Sequence, residues 1–206
     1  MPRFFDVLLG RTKPAQANLD ALFGLVGAQI TLQASESLAP SGQAGVCYKA
    51  VAGRSFAETA TETSQLLGLD DGSEAGPNVS VRQVDDKYGY HWVVLSSPDF
   101  QELVNQVHVV NSTLQESGYG PQLLCSVFGF HPDPTSDTAG ASRPLPLAYL
   151  VYLYKRGAFY PFVPLPGRDE RRDLESELRL QNVLGDDLSI EVDKERWMPL
   201  WGLPVH

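Results

Sequence analysis

Two cysteines and four histidines are the side chains with the widest chemical reach in this sequence: Cys47, Cys125, His91, His108, His131 and His206. A cysteine becomes a nucleophile when its surroundings favour the thiolate and leave it accessible. The set that would serve here is Cys125 with His91 and a carboxylate, Asp85 or Asp86, converging on a pocket to bind or hydrolyse a small molecule. Local spacing does not assemble it. Cys125 and His131 lie about 20 Å apart in an extended chain, and Leu123-Leu124-Cys125-Ser126-Val127-Phe128 reads as a core strand. Cys47 and Cys125 are distant in sequence, form no C-x-x-C, and read as buried free thiols. No histidines stand at i,i+4 and no H-E-x-x-H occurs. His91, between Tyr90 and Trp92, reads as a structural strand histidine, and His108 as a solvated one on a helix. The pairs Asp85-Asp86 and Asp186-Asp187 fit turns better than a calcium loop. Gly118-Tyr119-Gly120-Pro121 follows a helix instead of opening one, so it is no phosphate cradle, and G-x-S-x-G is absent. The expectation is a protein without catalytic, cofactor or metal residues, and not an enzyme.

Contact chemistry is better represented. Tyr149, Tyr152, Tyr154, Phe159, Tyr160 and Phe162 crowd one hairpin, with Lys155 and Arg156 at its tip and Arg168, Arg171 and Arg172 after it. Basic residues among aromatics can stack on single-stranded RNA. The plainer reading is a core hairpin with a charged tip, and aromatics at both parities imply that both sheet faces are covered. Trp197 and Trp201 lie in a proline-rich tail that cannot form a regular helix. They either pack back over the sheet, which is favoured, or anchor a partner. Phe4, Phe5, Val7, Leu8 and Leu9, flanked by Arg3, Arg11 and Lys13, make residues 1–14 a candidate docking segment. The candidate partner-binding residues are therefore Phe4, Phe5, Leu8, Lys155, Arg156, Phe159, Trp197 and Trp201.

The elements that must position these residues follow from periodicity. Helices are expected from about Asn18 to Leu25, with Asn18 as cap, and over Ser55–Leu67, opened by an S-x-x-E box. A third, capped by Ser97 with Pro98 in its first position, ends at Gly118. A fourth runs from about Arg168 to Leu184 with Leu174 and Leu178 on one side. Gln29–Ala34 and Gly45–Val51 read as strands paired around Pro40-Ser41-Gly42. Val79, Val81 and His91–Leu95 flank the turn Asp85–Gly89; Gln122–Phe130 is a continuous apolar strand. Leu147–Tyr154 and Phe159–Val163 flank a tight turn, and Asp70–Pro77 and His131–Pro146 are loops, the latter mobile. The fold class is α+β: a mainly antiparallel sheet built from hairpins with about four flanking helices, and a hint of a duplicated α–β unit. All 206 residues form one domain.

Composition sets the outer bounds. With 16 Lys and Arg against 25 Asp and Glu, the net charge is −9, which argues against a nucleic-acid binder and against charge-driven binding to anionic lipid. Asp6 interrupts the apolar N-terminus, so no signal peptide is read, and Leu145–Tyr154 is far too short to span a bilayer. A cytoplasmic protein is expected.

Several segments together resemble one family, the PspA-associated protein PspAB of the phage-shock membrane-stress system. They are Phe5-Asp6-Val7-Leu8-Leu9-Gly10-Arg11-Thr12-Lys13-Pro14, Val46-Cys47-Tyr48-Lys49-Ala50, Tyr88-Gly89-Tyr90-His91-Trp92 and Gly118–Cys125. The most specific is Leu150–Phe162, followed by the tail Arg196–Pro204. The resemblance implies a small accessory or adaptor protein that works by protein–protein contacts. Its implied neighbours are the membrane-remodelling protein PspA, its small partner PspAA, or a membrane protease of the HtpX type, and it would meet the inner face of the membrane through them. It supplies no catalytic residue.

Overall fold

A computed structural model describes residues 17–49, 61–62, 65, 79–135, 147–167 and 169–206. A 3-10 turn, Leu19–Phe23, runs into α1, Gly24–Glu36, which buries Leu25, Ala28 and Leu32 on one face. Ser37, in the left-handed conformation at φ 53°, stops α1 and releases β1, Leu38–Lys49. The expected strand Gln29–Ala34 is thus the second half of a helix. Its alternation of Gln29, Thr31 and Gln33 with apolar residues mimics a strand, yet Ile30 is 68% exposed while Ala28 and Leu32 are buried. Pro40-Ser41-Gly42 is not a hairpin turn either. It lies inside β1, where the register against the neighbouring strand shifts between Pro40 and Ala44 and Gly42 takes φ 75°.

The hairpin β2, Ser80–Asp85, and β3, Tyr90–Ser96, forms around the expected turn. α2, Phe100–Leu114, is capped by Asp99, whose carboxylate accepts the Glu102 amide at 3.1 Å; the cap is not Ser97, whose hydroxyl accepts the Asp99 amide instead. α2 continues into a π-helical turn, Gln115–Tyr119, that contains Gly118 at φ 89°. Then come β4, Leu123–Pro132, and the hairpin β5, Ala148–Leu153, with β6, Ala158–Phe162. α3, Leu174–Leu184, starts later than expected because the chain before it first folds back, with Leu165 bonded to Arg171 and Asp173 to Val163. Its buried face carries Glu177, Leu180 and Leu184, whereas Leu174 and Leu178 point to solvent. Of the expected helix Ser55–Leu67, only Thr61, Glu62 and Gln65 are described, and they are helical. Residues 1–14, the loop Asp70–Pro77 and most of His131–Pro146 lie outside the described residues.

The strands form one six-stranded sheet in the order β2-β3-β1-β4-β5-β6, antiparallel throughout. With three α-helices among the described residues this is an α+β fold. Each central strand, β1 and β4, follows a helix. From the centre outwards the order is β1-β3-β2 on one side and β4-β5-β6 on the other, so the two halves share ingredients but not strand order.

Strand periodicity separates two cores. On one face the helices bury Tyr48, Val93, Phe128, Tyr152 and Phe159 under Leu25, Val104, Val107, Leu180 and Leu184. On the other, Cys47, Trp92, Val94, Cys125, Val127, Tyr149, Tyr160 and Phe162 are covered by the tail through Trp197, Leu203 and Val205. Both faces are covered, as the aromatic parities imply. The tail lies so close that a Cβ on Gly45 would meet Val205 Cγ2 at 2.9 Å and the Trp92 ring at 3.1 Å. Gly45→Ala should therefore push Val205 off the sheet and cost roughly 1–3 kcal/mol, measurable by thermal denaturation; an unchanged transition would mean the tail does not rest there. No helix among the described residues is long and apolar enough to cross a membrane.

Candidate functional site

The tail is not a strand, so its carbonyls need donors from elsewhere, and the sheet provides them from side chains. Arg172 Nη1 donates to the Trp197 carbonyl at 2.6 Å and the Tyr160 hydroxyl to that of Met198 at 2.8 Å. The Tyr149 hydroxyl donates to Val205 at 2.9 Å and Arg82 to Pro204 at 2.8 Å. The Trp197 indole stacks on Tyr160 and donates to the Glu191 carbonyl at 2.9 Å, while Trp201 meets Phe162 edge-on.

Between the tail and the β2–β3 turn this leaves a cleft of about 680 Å³, in the range of small-ligand sites. Cys47, Cys125, Trp92 and Tyr160 line its floor, Met198 to Leu203 one wall, and Asp86, Tyr88, Tyr90 and Glu170 the other. The two carboxylates of the rim, Asp86 and Glu170, are already engaged. The Asp86 carboxylate accepts the Tyr88 and Tyr90 amides at 2.8 and 2.9 Å and the Trp92 indole N–H at 3.0 Å. The Tyr88 hydroxyl donates to Glu170 at 3.3 Å, and Lys87 stands 3.8 Å from the same carboxylate. The surface left for another molecule is apolar and aromatic: Tyr90 and Met198, both exposed, with the half-buried Leu200 and Trp201.

Cys47 and Cys125 are free, buried, and directly opposite one another on β1 and β4. A hydrogen bond to Cys125, burial and the Asp86 carboxylate push the Cys47 thiol up. Burial likewise pushes up the Tyr160 hydroxyl.

The set Cys125, His91 and Asp85 or Asp86 does not converge. His91 is buried on the helix face, stacked on Tyr48 with its Nδ1 2.8 Å from Asp85, whereas Cys125 faces the tail. Strand alternation puts the two on opposite sides of the sheet. Asp86 alone of the three partners lines the cleft with Cys125. His108 is half-buried, stacked on Phe23 and 3.7 Å from Asp20. Among the described residues no group of three or more His, Cys, Asp or Glu could hold a metal ion.

The candidate contact residues separate in the same way. Phe4, Phe5 and Leu8 lie outside the described residues. Lys155 and Arg156 are exposed at the β5–β6 turn, with Arg156 Nε 2.9 Å from the buried Glu191. Phe159 is fully buried against Tyr152 and presents no surface, because its parity points it at the helices. Trp197 is buried too and fastens the tail; Trp201 alone of these lines the cleft. Tyr88, Tyr90, Met198 and Leu200 were not among the candidates. Each belongs to the β2–β3 hairpin or to the tail, which are remote in sequence, and no local pattern brings them together.

A family model, PspA associated protein B, matches residues 2–205. No curated protein and no solved structure matches the chain. With nearly its whole length covered, the chain belongs to the PspA associated protein B family.

Proposed function

We propose that this protein is a non-enzymatic accessory factor that binds PspA by taking an apolar segment of it into the cleft between the tail and the β2–β3 turn. Membership of a family described as associated with PspA supports the partner. The observation that carries the surface is a cleft whose rim carboxylates, Asp86 and Glu170, are bonded within the chain while Tyr90, Met198 and Trp201 remain to meet a largely apolar guest. Such aromatic anchors around a desolvated pocket are where binding energy concentrates. Of the partners the resemblance implies, PspA alone is supported by the family's description; PspAA and an HtpX-type protease are not. On this reading the protein acts in the cytoplasm and reaches the membrane only through PspA.

Tyr90→Asp and Met198→Asp change exposed side chains, so the fold should survive both. Each should weaken co-purification of PspA at least about tenfold, the loss of one hot-spot contact of ~1.4 kcal/mol or more. Lys155→Glu, away from the cleft, should leave capture unchanged. Undiminished capture by both cleft variants would overturn the assignment of the surface.

A further inference from the structure

The two cysteines are remote in sequence, yet the sheet sets them side by side. Cys47 of β1 is the register partner of Cys125 of β4, and both side chains point to the tail face. Directly opposed residues of an antiparallel pair have Cα atoms about 4.5–5.5 Å apart, within the ~4.4–6.8 Å that a disulfide spans. Both thiols are free, not covalently joined. They also line the floor of a cleft open to small molecules. A buried cysteine kept for packing alone needs neither a second thiol against it nor a path to solvent.

We propose that Cys47 and Cys125 form a reversible dithiol–disulfide site, oxidised by a hydroperoxide that enters through the cleft. With hydrogen peroxide, one sulfur attacks an oxygen, the O–O bond breaks, and a sulfenic acid forms as the thiol proton leaves with the departing hydroxide as water. The second sulfur attacks the sulfenic sulfur. The S–S bond forms, the S–O bond breaks, and the second thiol proton leaves with that oxygen as a second water. Two electrons pass from the thiol pair to the peroxide. The product staples β1 to β4 beneath the cleft, and neither step depends on PspA.

The test uses the full chain, folded and reduced. Hydrogen peroxide is raised until the exposed Met198 is converted to its sulfoxide, which serves as the internal gauge of dose. The chain is then unfolded, alkylated with iodoacetamide and mapped by mass spectrometry. The expected result is a single intramolecular link between Cys47 and Cys125, with loss of both alkylation sites and recovery of both after dithiothreitol. Two thiols still open to alkylation once Met198 has reacted would overturn the proposal. So would sulfinic acid without a cross-link, or a cross-link between separate chains.

Discussion

Trp197→Ala is expected to remove about 3–5 kcal/mol of stability, in the range found for large aromatics cut back in a packed core. Trp197 is 5% exposed and works in three directions at once. Its ring stacks on Tyr160, its indole N–H satisfies the Glu191 carbonyl, and its own carbonyl receives Arg172. Lys194 lies over the ring with its ammonium 4.3 Å from the centroid. The alanine variant leaves a cavity, an unpaired carbonyl at Glu191 and a tail with its first anchor gone. The urea midpoint should fall, and limited proteolysis should cut the tail in the variant long before the parent. Equal stability and equal resistance would mean that the tail is not a structural layer of the fold.

Arg172→Ala should cost a similar amount for an electrostatic reason. Glu177 is fully buried on α3; its carboxylate accepts the Arg172 Nε at 2.9 and 3.0 Å and the Val163 amide at 2.9 Å, and Arg172 Nη2 lies 2.7 Å away as the ion-pair partner. Removing the guanidinium leaves a buried carboxylate without its counter-ion, a loss of about 3–5 kcal/mol. The tail also loses its donor at Trp197. Replacing both partners, Arg172→Met with Glu177→Leu, should recover the charge part of the loss, because no buried charge is then left unpaired, but not the part due to the Val163 amide and the Trp197 carbonyl, which lose their partners. Chemical denaturation of the single and double variants decides the point. A double variant no better than Arg172→Ala would shift the explanation from charge to packing.

Much of the fold is legible in the residues, but unevenly. The hairpins around Asp85–Gly89 and Lys155–Gly157 could be read because their turns sit between apolar runs of clear period. The covering of both sheet faces was legible from the parities of Tyr149, Tyr152, Phe159 and Tyr160. α1 misled because the six residues Gln29–Ala34 alternate in polarity and fit a strand as well as a helix, and Ile30 points outward. α3 misled through Leu174 and Leu178, apolar but exposed, while the charged Glu177 is the buried one. The cleft was out of reach for a different reason. Cys47, Cys125, Tyr90 and Met198 come from three strands and a tail, and only the register of β1 against β3 and β4 puts them together.

On the proposed function, PspA docks in the cleft. The most direct measurement places a photo-activatable cross-linking residue at position 90, on the cleft wall, and separately at position 30, exposed on α1 across the sheet. With PspA present, illumination should yield a covalent PspA adduct from position 90 and none from position 30. An adduct from position 30 with none from position 90 would contradict the account.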